Sequence, residues 1–288
     1  MRALATLSLI LLLLATPSGA SAACGGTGLQ LQVLGSAAED WSPRRAGASY
    51  LLWRAGRATA LVNAGPGAAQ RFAESGARVS DLAVVLFTDL DVARSADLPA
   101  LVARAVAEGR RGALPIYGPP GAKQVSSTVT FVRSLFDGAR GAYRELGDTL
   151  NPFRKDTFML HPRDVGAPRP KAIPLPAFEI DGLRGFATAG DDPSNPALAW
   201  RLETEGKVVA VSGNASVPER PWAAWAAGAH VVVLPQALLE GPAGAVVLGA
   251  APRSIVVTDS GGASSKEGRP LPNGTSMVRA QDLECVPL

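Results

Sequence analysis

Histidine is the scarcest chemically useful residue in this chain, with two in 288 residues. A site built on three imidazole ligands is therefore excluded. Cysteine is as scarce, also two, so four-thiolate metal centres and dense disulfide scaffolds are excluded as well. Charged residues make up 18% and the net charge is +3. That is too little charge for a disordered chain or a charge-laced coiled coil, and there is no basic tract to suggest a nucleic-acid partner. Beyond the first two dozen residues no apolar run is long enough to span a bilayer. Internal repeats, low-complexity linkers and a phosphate-binding glycine loop are also missing. Gly26-Thr27-Gly28 and Gly65-Pro66-Gly67 have the look of turns, without the lysine or helix start that a P-loop needs.

What is present begins with an export signal. Arg2 supplies a positive start, Leu7 to Ala15 an apolar stretch, and Ala20-Ser21-Ala22-Ala23 a small-residue cleavage site. Residues 1–23 are expected to be removed and 24–288 to form one domain, periplasmic or secreted. Cys24 and Cys285 then lie at the two ends of the mature chain and can pair in an oxidising compartment. The alternative is a lipoprotein acylated at Cys24, although Ser21 stands where such a signal prefers leucine. Asn214-Ala215-Ser216 and Asn273-Gly274-Thr275 match the glycosylation sequon, a pattern that chance also produces.

Apolar periodicity alternates between strand and helix, which predicts an α/β fold. Strands are expected at Leu29 to Leu34, Ser49 to Trp53, Ala58 to Val62, Ala83 to Thr88, Leu114 to Tyr117, Lys207 to Ser212, His230 to Leu234 and Ile255 to Thr258. Helices are expected at Ala68 to Ser75, from Ser95 or Asp97 to Gly109, over about Val125 to Tyr143, and at Pro221 to Ala227. The second of these should bury Leu98, Leu101, Val102, Ala105 and Val106. Residues 151–176 are rich in proline and suggest an inserted or mobile segment. Trp222 and Trp225 share a helix face, where core packing or a subunit contact is favoured over a ligand platform.

A series of landmarks follows in order. They are Gln32-Val33-Leu34-Gly35-Ser36, Ala48-Ser49-Tyr50-Leu51, Leu61-Val62-Asn63-Ala64-Gly65-Pro66-Gly67, Val85-Leu86-Phe87-Thr88 running into Ser95-Ala96-Asp97-Leu98-Pro99, and Pro115-Ile116-Tyr117-Gly118-Pro119. Later come Pro196-Ala197-Leu198-Ala199-Trp200-Arg201 and Val211-Ser212-Gly213-Asn214. Over nearly the whole mature chain this series resembles the metallo-β-lactamase superfamily, and within it the exported ribonuclease Z or arylsulfatase-like hydrolases. The resemblance implies a four-layer αββα sandwich, a one- or two-zinc hydrolase site, and dimers as a common state.

The ligand motif does not follow. The resemblance puts His-x-His-x-Asp-His after the strand and its threonine, but here the stretch is Asp89-Leu90-Asp91-Val92-Ala93-Arg94. The later histidine and bridging aspartate positions hold Asp191-Asp192 and Asn214, and the last histidine position holds Asp259. Asn63 stands where the family carries an acidic residue. His161 lies at no ligand position, and His230 opens a strand as a structural residue.

Three functions compete. One is a pseudoenzyme without zinc, inactive or binding an unidentified small molecule or protein. The second is a rewired hydrolase in which Asp89, Asp91 and Asp259 hold Mn²⁺, Mg²⁺ or Ca²⁺. Arg94, a permanent cation, argues against it. The third is a metal-free hydrolase, since Thr258-Asp259-Ser260-Gly261-Gly262 resembles a serine-protease nucleophile loop. No histidine base stands in that family's context, and only one of the two Asp-Ser-Gly loops of an aspartic protease is present. Within the first reading Arg94 is expected to take the metal's place and contact at least one of Asp89, Asp91 and Asp259; the alternative is a solvated loop whose aspartates make only local turn and cap contacts. The export reading predicts that mass spectrometry of secreted protein finds a chain starting at Ala23 or Cys24, and a chain starting at Met1 would contradict it.

Overall fold

The structure, a computed structural model, describes residues 24–37, 44–166, 173–217, 219–258, 271 and 274–288. The expected signal segment and Asp259 lie outside these residues. Two seven-stranded sheets stack face to face. The first runs in the order β14-β1-β2-β3-β4-β5-β6, with β1 Gln30–Gly35, β2 Ser49–Arg54, β3 Arg57–Val62, β4 Val84–Leu86, β5 Ala113–Gly118, β6 Met159–Asp164 and β14 Cys285–Pro287. The second runs β13-β12-β11-β10-β9-β8-β7, with β7 Leu175–Ile180, β8 Leu183–Ala189, β9 Leu198–Thr204, β10 Lys207–Val211, β11 Val231–Pro235, β12 Ser254–Thr258 and β13 Ser276–Arg279.

Both sheets are mixed. β14, β1, β2 and β3 pair antiparallel and β3 to β6 pair parallel. β7 to β10 pair antiparallel and β10 to β13 parallel. The parallel halves need crossovers, and helices supply most of them. α1 Ala68–Glu74, α2 Val92–Ser95, α3 Leu98–Ala107 and α4 Thr128–Phe136 belong to the first sheet. α5 Glu219–Ala226, α6 Gln236–Glu240 and α7 Pro242–Gly249 belong to the second.

Strand residues alternate between two buried faces, which explains why these strands read as continuous apolar runs. Leu31, Val33, Tyr50, Leu52, Val84 and Leu86 meet Trp200, Leu202, Val231, Val233 and Val256 between the sheets. Their neighbours Leu51, Trp53, Val85 and Phe87 face the helix layer with Phe72, Leu98, Leu101 and Val102. Val232, Leu234 and Ile255 face α5 to α7. The result is the expected four-layer αββα sandwich. Trp222 and Trp225 are buried in that third layer with ring centroids 4.5 Å apart, as the core reading anticipated.

Three expectations need correction. The proline-rich stretch is not simply an insertion, because β6 lies within it as the outer strand of the first sheet. Pro162 is tolerated there because an edge strand has one side without ladder bonds to lose. The helix expected over Val125 to Tyr143 is α4 alone, followed by a separate tight helical turn over Arg144–Leu150. Gly138 and Gly141 interrupt the periodicity between the two. Val106 is exposed although Leu98, Leu101, Val102 and Ala105 are buried, because it lies on the flank of the α3 stripe.

Cys24 and Cys285 are bonded, with Cα atoms 5.7 Å apart and 261 residues between them in sequence. For a loop this long the chain-entropy relation gives about 4–5 kcal/mol as an upper figure. The bond consumes the sulfur that a lipoprotein would acylate, so the two fates expected for Cys24 are mutually exclusive. Among the described residues no helix is long and apolar enough to cross a membrane.

Backbones approach most closely where the β1–β2 connection, the β3–α1 loop and α2 meet. A Cβ on Gly65 would collide with the Ala93 carbonyl oxygen and come within 2.7 Å of the Gly47 carbonyl carbon. A Cβ on Gly47 would lie 2.7 Å from the same Ala93 oxygen. Nothing but glycine fits without moving backbone. Gly65→Ala is expected to cost about 1–3 kcal/mol by overpacking, read as a lower urea midpoint with an unchanged slope.

Candidate functional site

The polar residues singled out in the sequence gather at one edge of the sandwich. Asn63 follows β3, Thr88 follows β4, Gly213 and Asn214 follow β10, and Thr258 ends β12. Parallel strands point their C-terminal ends the same way, so residues distant in sequence arrive together. Tyr50, at the start of antiparallel β2, joins them.

Asp89 and Arg94 form the centre, 4% and 2% exposed. Arg94 Nε lies 3.2 Å from Asp89 Oδ2, and one terminal nitrogen donates to Asp89 Oδ1 at 3.4 Å. The guanidinium thus contacts both carboxylate oxygens, one through a hydrogen bond and the other as an ion pair. Asp91 is a more distant partner, 3.8 Å from Arg94 with its own side chain half exposed. The short helix α2 makes this geometry. The Asp89 side chain accepts the Asp91 amide at 3.1 Å, and the Arg94 amide donates to the Asp91 carbonyl at 2.8 Å. One turn of helix then returns the Arg94 side chain toward Asp89.

The carboxylate has further partners. Asn63 adopts a left-handed backbone, φ 63°, while fully buried. Its side-chain oxygen accepts the Thr88 amide at 2.9 Å, and its side-chain nitrogen donates to Thr88 Oγ1 at 3.1 Å. The Thr88 hydroxyl donates in turn to Asp89 Oδ2 at 3.2 Å. Asparagine tolerates the left-handed region better than most residues, and burial makes its bonds obligatory. Beside this network Ala48, Tyr50, Asn63, Arg94, Gly213, Asn214 and Thr258 line a cavity of about 10 Å³. That is room for one water molecule.

Burial pushes the Asp89 carboxyl up from its ordinary value, Arg94 pulls it part of the way back, and Asp91 adds to the rise. The expected contact between Arg94 and a carboxylate is present at Asp89. Ala93 is buried behind it, with its carbonyl against Gly65 and Gly47. Asp191 and Asp192 are exposed. Asp192 accepts the amide and hydroxyl of Ser194, 2.8 and 2.6 Å away, and so closes its own turn. The solvated-loop reading therefore describes Asp192 and not Asp89. His230 Nδ1 accepts the Val208 amide at 3.3 Å, and burial lowers its pKa, in keeping with a structural role. His161 sits on β6 with its Nε2 3.0 Å from Met159 Sδ, away from the centre. Among the described residues no three His, Cys, Asp or Glu side chains are grouped as a metal site.

The sequence reading missed Tyr50 and Thr258 as lining residues and Thr88 as the link between Asn63 and Asp89. The landmark series contains Tyr50 and Thr88, but only the sheet register shows what they face.

Two mixed sheets between helix layers, with a polar centre at the strand ends, define a protein of the metallo-β-lactamase fold. Solved structures agree. Human tRNase Z, short form, superimposes with a TM-score of 0.62 at 15% identity, over 89% of this chain and 98% of that one. The metallo-beta-lactamase fold protein YhfI from Bacillus subtilis gives 0.60 at 13%, over 90% and 98%. No protein-family model matches the chain. Ribonuclease Z of Mycobacterium bovis (strain BCG / Pasteur 1173P2) is 30% identical over 215 residues, 71% of this chain and 69% of that protein. The chain belongs to the ribonuclease Z family.

The buried pair yields a stability prediction. Arg94→Met leaves an unpaired buried carboxylate and is expected to cost about 3–5 kcal/mol. Adding Asp89→Leu should restore most of that loss. An acid whose pKa is raised on folding contributes stability below its unfolded value, about 3.9, that is lost as pH rises through the folded value. Denaturant titrations across that range should show this decline in the native chain and its absence in the double variant.

Proposed function

We propose that this chain is an exported ribonuclease Z homologue that has given up zinc hydrolysis, and that Arg94 occupies the role of the metal ion. The observation that carries the reading is the buried Arg94–Asp89 pair. Zinc favours imidazole and thiolate ligands, and a metallohydrolase keeps one coordination position open for water or substrate. Asp89, Asp91, Ala93 and Arg94 offer two carboxylates, a methyl group and a guanidinium. The guanidinium cannot ligate a cation, and its positive charge disfavours one nearby. These residues do not fit zinc, and no hydrolytic step is derived through it.

The same pair explains how the fold can persist without the ion. A buried carboxylate left alone would protonate or destabilise the chain. Arg94 supplies the compensating charge, one hydrogen bond and a second close ion-pair contact from the protein itself. The cavity beside it, of about 10 Å³, has room for about one water molecule. The relatives carry the name ribonuclease, and this chain is proposed to lack that activity.

The test is elemental mass spectrometry of the secreted protein, purified without chelator and again after separate soaks in zinc, manganese and calcium. Metal at background in every sample is the expected result. Stoichiometric zinc would overturn the proposal. Manganese or calcium at one or two equivalents, lost in Asp89→Ala and Asp91→Ala, would establish the carboxylate-based hydrolase instead.

A further inference from the structure

The C-terminal segment does more than finish the first sheet. Asp282 is nearly buried, and its two oxygens accept four hydrogen bonds. Oδ1 takes the Ser36 amide at 3.0 Å and the Ser36 hydroxyl at 2.8 Å. Oδ2 takes the Ala46 amide at 2.7 Å and Arg71 Nε at 3.1 Å. Ser36 and Ala46 belong to the two ends of the β1–β2 connection, which also bond to each other from the Ala37 amide to the Ala46 carbonyl at 3.0 Å. One side chain therefore gathers both ends of that connection and the first helix.

From there a chain of backbone bonds reaches the polar centre. The Gly47 amide donates to the Pro66 carbonyl at 2.7 Å, and the Ala64 amide donates to the Arg94 carbonyl at 2.7 Å. Ala48 and Tyr50, just beyond Gly47, line the cavity beside Arg94. The rim of the centre thus rests on Asp282.

Backbone bonds flank Asp282 on both sides, from the Ala280 amide to the Val257 carbonyl at 2.9 Å and from the Leu283 amide to the Val33 carbonyl at 2.6 Å. β14 is three residues long and pairs with β1 at Gln30 with Pro287, Leu31 with Val286 and Gln32 with Cys285, and the Val33 amide extends the pairing to the Glu284 carbonyl at 2.9 Å. The Cys24–Cys285 bond fixes the first residue of that strand, three residues after Asp282. Around the bond, Trp53 donates from Nε1 to Gln32 at 2.9 Å, Gln32 donates to the Leu283 carbonyl at 3.4 Å, and the Trp53 ring packs over Gly25.

We propose that residues 281–288 form a redox-dependent strap, in which the Cys24–Cys285 bond keeps Asp282 seated and Asp282 sets the rim of the polar centre. A dithiol reductant would transfer two electrons and two protons to the sulfur–sulfur bond, leaving two cysteine thiols and a cyclic disulfide of the reductant. The strap would then be held by its backbone bonds to β1 and by Val286 in the core, and the rim would loosen while the second sheet stays closed. The rim accordingly sets only in a compartment that oxidises the two thiols. Asp282 acts here as a positioning residue, and the inference holds whether or not the centre binds metal.

Amide hydrogen exchange on the full chain tests this, comparing the oxidised protein with protein reduced by dithiothreitol and alkylated. Reduction is expected to speed exchange at least about tenfold at Ser36, Ala46, Gly47 and Ala64, while Val209 and Val231 to Val233 stay within about twofold. Asp282→Asn with the disulfide intact is expected to speed Ser36 and Ala46 in the same direction. Should that variant fail to fold, Ser36→Ala removes a single donor and should move the Ala46 amide likewise. Unchanged exchange at the rim would overturn the strap. Equal acceleration of both sheets would also overturn it, because the bond would then support the whole fold and not the rim.

Discussion

A buried guanidinium needs a counter-charge, and a buried carboxylate needs a donor. Arg94 and Asp89 meet both needs with each other, and the surrounding loops are shaped by that pairing. Asp91 turns the chain so that α2 carries Arg94 back over Asp89. Thr88 and Asn63 spend their polar atoms on one another and on the same carboxylate. Gly47 and Gly65 lack side chains where the Ala93 carbonyl must pass. Removing water from this edge of the sandwich is possible because each of these described polar groups has found a protein partner.

The sandwich delivers those groups together through its strand directions. β3 and β4 run parallel in one sheet, as do β10, β11 and β12 in the other, so their C-terminal ends open at a common edge. The antiparallel half of the first sheet does a different task and brings β14 beside β1. β14 closes beside β1, and its disulfide and Asp282 connect the last residues of the chain to the rim of the centre. Sheet edges are kept unattractive to other strands. β14 is very short, β6 contains Pro162 and Arg163, and β7 contains Pro176 beside a bulge.

Family membership and residue chemistry point in different directions here. The fold and a 30% identical relative place the chain among the ribonuclease Z proteins. Asp89, Asp91, Ala93 and Arg94 stand where the resemblance puts histidine and aspartate, and Arg94 is ion-paired with Asp89. An arginine ion-paired with a buried aspartate supplies a compensating charge there.

Composition and periodicity alone determined the α/β class, most inner strands and the helices flanking them, because strands buried on both faces and one-sided helices leave strong patterns. The order of landmarks carried the family resemblance, and the departures at Asp89, Asp91, Ala93 and Arg94 were legible residue by residue. Strands β6, β7, β8, β9, β13 and β14 were missed; β6, β7, β13 and β14 are edge strands, and polar residues break the apolar runs of β8 and β9. Tertiary structure alone decided that Cys24 bonds to Cys285, that Asp89 and not Asp192 meets a buried cation, and that Asp282 holds both ends of the β1–β2 connection. Each of these depends on which distant segments the sheet register brings within hydrogen-bond reach, and that distance is not written in local sequence.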